Sequence, residues 1–171
     1  MSRGQGLALF LALVPVAWGL MWLGWRRRGR TQSDLPAPRP VEADPDGAGF
    51  EGVYVSTTTH GDWLDRVVVH GLGVRSAVTA HVGPDGVALV RQGAPSVFVP
   101  RADLVGAGRT SGMAGKFVET DGLAVVTWVL GPRTVDTGIR LRRATDTQTF
   151  VDAVRALAPS GGSTATGEGD Q

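Results

Sequence analysis

The chain contains no cysteine, a single lysine (Lys116) and three histidines in 171 residues. Without cysteine there is no disulfide framework and no thiolate metal site. Without an excess of either sign, at a net charge of +1, there is no global electrostatic case for nucleic acid. The basic charge is carried almost wholly by arginine. The length suits one ordinary domain with appendages.

What the chain does have is a long apolar run at its start. Residues 7–25 read LALFLALVPVAWGLMWLGW and carry no charge. As a helix they would span about 28 Å, close to the hydrocarbon thickness of a bilayer. Pro15 removes one backbone donor, which membrane helices tolerate. Trp18, Trp22 and Trp25 gather toward one end, where indole rings favour the headgroup interface. Arg26, Arg27, Arg28 and Arg30 follow at once, against Arg3 alone on the other side. The positive-inside rule therefore predicts a single-pass cell-membrane anchor, with the N-terminus outside and the rest of the chain cytoplasmic. A cleaved signal peptide fits less well: the run is too long, the basic cluster follows it, and no A-x-A site precedes the arginines. Gly19, Gly24, Ala12 and Ala17 offer small surfaces for helix packing but form no GxxxG.

After this anchor with its basic flank (residues 1–30), residues 31–49 hold four prolines, several acids and almost no large apolar residue. They predict a solvated, semi-extended spacer. From residue 50 to 159 the texture changes. Strands are predicted at 51–59, 66–70, 75–82, 87–92, 96–100, 104–109, 123–130 and 134–141, with 117–119 a lead-in to 123–130 across Asp121-Gly122. Gly83-Pro84-Asp85-Gly86 makes a hairpin of the strands around it, and Gly131-Pro132-Arg133 joins the last two. At 146–158 the period becomes helical, with Phe150, Val151, Val154, Leu157 and Ala158 on one face. Thr145 and Gln148 fit a capping box, and Pro159 stops the helix. Residues 160–171, rich in glycine, serine and threonine, predict a disordered tail.

About seven antiparallel strands followed by one helix, with no helix between strands, argue against parallel α/β units. They predict an open barrel capped by the C-terminal helix. The pieces GDWLDR (61–66), HGLGVRS (70–76) and GMAGK (112–116) resemble a family of actinobacterial membrane proteins. The resemblance implies one N-terminal transmembrane helix and a bacterial PH-like domain of the pleckstrin-homology superfold. Members carry labels of transport or export, and their genes neighbour those of pyrimidine biosynthesis.

Few residues point to chemistry. His60, Asp62, Asp65 and His70 lie close together, but their spacing matches no zinc or calcium motif. They read as a solvated polar loop. His81 reads as a cross-strand surface residue. Residues 106–116 are glycine-rich yet lack phosphate-loop and dinucleotide spacing, and read as a loop. Ser56, Ser76, Ser96 and Ser111 have no nucleophile-elbow context. No catalytic residue, metal site or cofactor is predicted. The loop after the first strand carries two acids against one arginine, which disfavours phosphoinositide. Trp63 reads either as core or as an exposed anchor for a partner or the bilayer. Arg140, Arg142 and Arg143 form a basic spot for an acidic partner, or are simply solvated. The sequence thus predicts a non-enzymatic module at the bilayer that binds or scaffolds another protein. The alternative is an accessory subunit of a membrane transport or export complex.

Overall fold

A computed structural model describes residues 14–16, 18, 19, 32, 34–42, 45, 49–110, 112, 113, 116, 117 and 122–158. The described pieces of the N-terminal run, 14–16 and 18–19, are helical and exposed, Trp18 among them. Most of residues 7–25, together with Trp22, Trp25, Arg26, Arg27, Arg28 and Arg30, lies outside the described residues, as do residues 160–171. Among the described residues no helix is long and apolar enough to cross a membrane.

The domain begins at Leu35. Its strands are β1 (Phe50–Thr59), β2 (Asp62–Arg66), β3 (Ser76–Gly83), β4 (Gly86–Gln92), β5 (Val97–Pro100), β6 (Leu104–Thr110), β7 (Gly112–Met113), β8 (Lys116–Phe117), β9 (Leu123–Leu130) and β10 (Arg133–Leu141). One helix, α1 (Ala144–Leu157), follows. The main sheet runs β5-β4-β3-β1-β10-β9-β6, with β2 added to β1, and β7 pairs with β8 apart from it. Every pairing is antiparallel. The result is an open, mainly-β sheet with a C-terminal helix, as the sequence predicts.

β1 organises this sheet. One edge pairs with β10 from Gly52↔Leu141 to Thr59↔Val135. The other edge pairs with β3 up to Tyr54↔Ser76 and with β2 at Thr58 and Thr59. A bulge between Tyr54 and Ser56 separates the two regimes. Bulges sharpen local twist, so the sheet bends here. The β3–β4 hairpin turns where predicted: Gly86 has φ +155, and a Cβ there would strike the Val99 carbonyl.

Alternation drives the core. Val87 and Leu89 of β4, Val126, Trp128 and Leu130 of β9, and Val135, Ile139 and Leu141 of β10 all point inward. α1 covers them with Phe150, Val151 and Val154, and the Phe150 ring meets Phe50 edge-on at 5.4 Å. Full burial of each such side chain contributes about 1.5–3 kcal/mol.

Four expectations change. The run at 66–70 is not a strand: β2 ends at Arg66 and Val69–Gly71 is a 3-10 turn with His70 at φ +55. Residues 62–65, expected in a loop, belong to β2. The loop reading of residues 106–116 gives way at its start to the strand predicted at 104–109: Gly106 and Gly108 lie in β6, where the ladder with β9 overrides weak propensity. The capping box does not form, since Gln148 donates to Asp152 and the N-cap is Arg143. Residues 35–40 are extended, yet they are laid on the domain. Leu35 is 3% exposed within the core, and its carbonyl lies 2.9 Å from His70 Nε2. The Arg39 carbonyl accepts from Phe98 N–H at 2.8 Å on the edge strand β5. An edge strand presents unpaired backbone groups, and here the chain itself supplies partners for one of them.

Beneath the sheet lies a buried polar chain. Trp128 Nε1–H donates to Thr137 Oγ1 at 2.9 Å, and Thr137 and Thr57 share a hydroxyl bond of 2.8 Å. Tyr54 Oη lies 2.5 Å from Thr57 Oγ1 and donates to the Leu72 carbonyl at 3.1 Å. The Arg91 guanidinium stacks 3.8 Å from the Tyr54 ring centre. Its N–H groups donate to Ser76 Oγ and to the carbonyls of Gly71, Val74 and Pro95. Arg91 is 6% exposed, and neutral acceptors alone surround it in these bonds.

Replacing Arg91 by Ala should cost about 3 kcal/mol, because four acceptors lose their donors in a buried site. Urea denaturation of the full chain checks this. Burial also holds the Tyr54 phenol above its ordinary 10.0, against the opposing pull of Thr57 and Arg91. The fold therefore favours the neutral phenol. Its contribution is complete below the unfolded value near pH 10 and falls as pH rises toward the folded value. Tyr54→Phe should flatten that alkaline loss in a pH series of thermal melts.

Candidate functional site

Antiparallel register places one row of residues across the outer face of four strands. Gly106 of β6 pairs with Thr127 of β9, Thr127 with Asp136 of β10, and Asp136 with Thr58 of β1. Directly opposed residues share a face, so this row is a continuous strip. Thr127 Oγ1 donates to Asp136 Oδ1 at 2.7 Å, and His60 Nδ1 lies 3.0 Å from both carboxylate oxygens. His60 holds its position because its own N–H bonds the Thr134 carbonyl at the end of β1.

The strip is the floor of a trough of about 480 Å³. Its walls are the β1–β2 hairpin on one side and β6 on the other. Gly106 and Gly108 keep it open: an added Cβ at either would meet nothing within 4 Å, so a larger residue would fill the space. Trp63, 45% exposed, and Val105, 54% exposed, stand on opposite walls. Beside Trp63, Leu64 is 63% exposed.

The hairpin that carries Trp63 is shaped by its own acids. Asp62 Oδ1 accepts from the N–H groups of Leu64 and Asp65, and Asp65 accepts from Thr59 Oγ1 at 2.7 Å. Gly61 at φ +78 makes the turn. The four residues that suggested a metal site are thus dispersed. His60 faces Asp136, the two aspartates build the hairpin, and His70 holds Leu35. Among the described residues no group of three or more such side chains could hold a metal.

Thr58 is fully buried in the trough floor, and its hydroxyl has no hydrogen-bond partner. Three of the serines singled out in the sequence are committed. Ser56 donates to the Thr57 carbonyl, while Ser76 and Ser96 accept from Arg91. Ser111 lies outside the described residues.

The expected core position for Trp63 is not met. β2 is a short edge strand, bonded to β1 at few points, and it projects beyond the core. The exposed alternative is the one realised. The three arginines of the basic spot separate. Arg140 and Arg142 share the outer face of the sheet, and Arg142 pairs with Glu51 at 2.8 Å. Arg143 turns to the helix start, where the Asp146 carboxylate at 2.8 Å raises its guanidinium above the ordinary value. His81 points outward from β3 opposite Ala88, partly exposed.

Sequence reasoning missed Thr58, Thr127, Asp136 and Arg91. A signal existed for Arg91, which continues the inward alternation Val87, Leu89, Arg91. For Asp136 and Thr127 it lay in the register across Gly131, which puts the two side by side.

An unpaired buried hydroxyl is a stability cost of about 1–3 kcal/mol. Thr58→Val should therefore raise stability by about 1 kcal/mol, whereas Thr137→Val, which strips partners from Thr57 and Trp128, should lower it by about 1–3 kcal/mol. Paired urea titrations distinguish the two threonines.

No curated protein and no solved structure matches the chain. A family model does. It spans residues 32–155, covering β1–β10 and most of α1. The strand path of the main sheet lies wholly within the matched residues. Numbering only its seven strands in chain order gives the spatial order 4-3-2-1-7-6-5, with one helix at the end. The chain belongs to the Bacterial PH domain-like family.

Proposed function

We propose that this protein is a membrane-tethered, non-enzymatic binding module whose PH-like domain engages another protein through the β1–β2 hairpin and the trough beside it. The observation that carries this reading is the pair Trp63 and Leu64, exposed side by side on an edge strand with aspartates on both flanks. Two adjacent apolar side chains with large exposed areas at a hairpin are the kind of feature that anchors interfaces. The trough gives the partner a recess with a fixed carboxylate at its floor. Asp62, Asp65 and Asp136 outnumber Arg66 and Arg109 in this region and so set the sign of the local field. An anionic bilayer surface or a phosphoinositide headgroup would be repelled there, and a protein surface carrying an apolar pocket and basic groups would not.

The tether in this reading is the apolar run 7–25, with Trp18, Trp22 and Trp25 at its inner interface and Arg26, Arg27, Arg28 and Arg30 holding that end in the cytoplasm. A single-pass anchor confines the domain to a thin layer beneath the membrane, so modest affinity for a membrane-bound partner suffices.

The test uses the full chain in cells. A photo-crosslinker at residue 105, exposed on the facing wall of the trough, should trap a specific protein, and the Trp63→Ala, Leu64→Ala double variant should abolish that adduct while leaving the melting temperature within about 2 °C. An unchanged adduct in the double variant would refute the hairpin as the contact. Adducts arising only from positions within 7–25 would favour the transport-complex alternative. Protease added to right-side-out cells should leave the domain intact; its cleavage there would overturn the cytoplasmic placement.

A further inference from the structure

A second surface carries the opposite charge. On the outer face of β3, β1 and β10, a shallow groove of about 560 Å³ is floored by Gly52, Val53, Ala77 and Thr79. Arg75, Arg140 and Arg142 border it, with Gln92 at one end and Glu51 as its single acid. All three arginines are exposed. Arg75 and Arg140 have no ion pair among the described residues, and Arg142 is held by Glu51 alone, both side chains well exposed.

The register sets the spacing of these cations. Arg140 lies opposite Val53, and Arg142 continues the ladder by donating its N–H to the Glu51 carbonyl. Two residues along one strand face are about 7 Å apart. Arg75 immediately precedes Ser76, which pairs with Tyr54 on the far edge of β1. It therefore stands across two strand spacings from β10, about 10 Å. An extended segment offers side chains at i and i+2 with the same interval of about 7 Å.

We infer that this groove is a docking surface for an acidic, extended segment of a partner protein, with carboxylates at alternate positions seated on Arg140 and Arg142 and a further one on Arg75. Charge complementarity identifies the occupant, and Glu51 models it within the chain: its carboxylate already occupies the Arg142 guanidinium at 2.8 Å. The same Glu51 discriminates against denser charge, because a phosphate dianion seated on Arg142 meets the carboxylate already bound there, and that repulsion grows with the charge of the ligand. A planar bilayer is disfavoured as well, since the groove floor is recessed and carries no large exposed apolar side chain among those named. Arg143 takes no part, being turned to Asp146. This surface is distinct from the hairpin of the proposed function and does not depend on the membrane tether.

The experiment is fluorescence anisotropy with the full chain in detergent and a labelled peptide alternating glutamate and threonine. The glutamate peptide should bind, and its glutamine counterpart should not. Arg75→Gln with Arg140→Gln should weaken binding at least about tenfold, and Arg143→Gln should leave it unchanged. Glu51→Gln should strengthen binding about threefold or more by releasing Arg142, a gain that misfolding cannot mimic. Binding should fade at about 0.5 M salt. Equal binding of the glutamine peptide, or no effect of the Arg75 and Arg140 changes, would overturn the inference. Tighter binding of a phosphoserine peptide, or of vesicles containing phosphatidylglycerol, would overturn the choice of occupant.

Discussion

Arg91 is a buried cation bonded to carbonyls and a hydroxyl, and much of the domain is arranged around it. Its guanidinium joins three segments that no strand ladder connects: the turn at Gly71, the approach to β3 at Val74, and the β4–β5 loop at Pro95. A planar fork with five donors can satisfy so many carbonyls at once, which a lysine cannot. The Tyr54 ring covers one face of that fork, and Tyr54 in turn passes hydrogen bonds through Thr57 and Thr137 to Trp128. The chain of contacts therefore runs from β4 across β1 and β10 to β9. Hydrophobic burial would close the two halves of the sheet on each other in many ways. A fully paired polar chain through the middle admits few of them.

The same constraint accounts for the irregular stretch after β2. The Val67–Leu72 region has no strand partner of its own along its length. Yet Val67 N–H bonds the Thr57 carbonyl, and the Leu72 carbonyl receives both Thr57 N–H and the Tyr54 hydroxyl. Val67 and Leu72 are buried as a result. A run of three valines predicts a strand by composition, but β1 has already spent its edge on β3 and β2. The segment is folded by β1's leftover polar groups, a tertiary fact that local pattern does not contain.

Much of the architecture was legible in residues. Alternation at Val87, Leu89, at Val126, Trp128 and at Val135, Thr137, Ile139 marks the strands, because each has one buried face. The face Phe150, Val151, Val154 marks the helix for the same reason. Legibility failed where the physics is long-range. Trp63 sits beside a strand start, where bulk usually means core, but β2 projects past the core. Arg140, Arg142 and Arg143 look like one patch in sequence. Strand twist and the helix start send Arg143 elsewhere, while pairing across β1 brings Arg75 in. The trough row needs three registers at once, and no single stretch of sequence encodes them.

The prolines at 36, 38 and 40 show where composition misleads about function as well as structure. Their stretch has the texture of a spacer, and extended backbone is what it adopts. Extended backbone is also what an edge strand can pair with, so Arg39 bonds Phe98 and the lone large apolar residue of the stretch, Leu35, enters the core. His70 secures the other side by holding the Leu35 carbonyl, and its left-handed backbone there is the strain that this contact sustains. The family match begins at residue 32, just ahead of this docked stretch, and not at β1. The stretch is thus an integral part of the module. It protects the β5 edge from pairing with other chains, and it leaves the outer face, where the trough and the basic groove lie, as the surface on which partners can act.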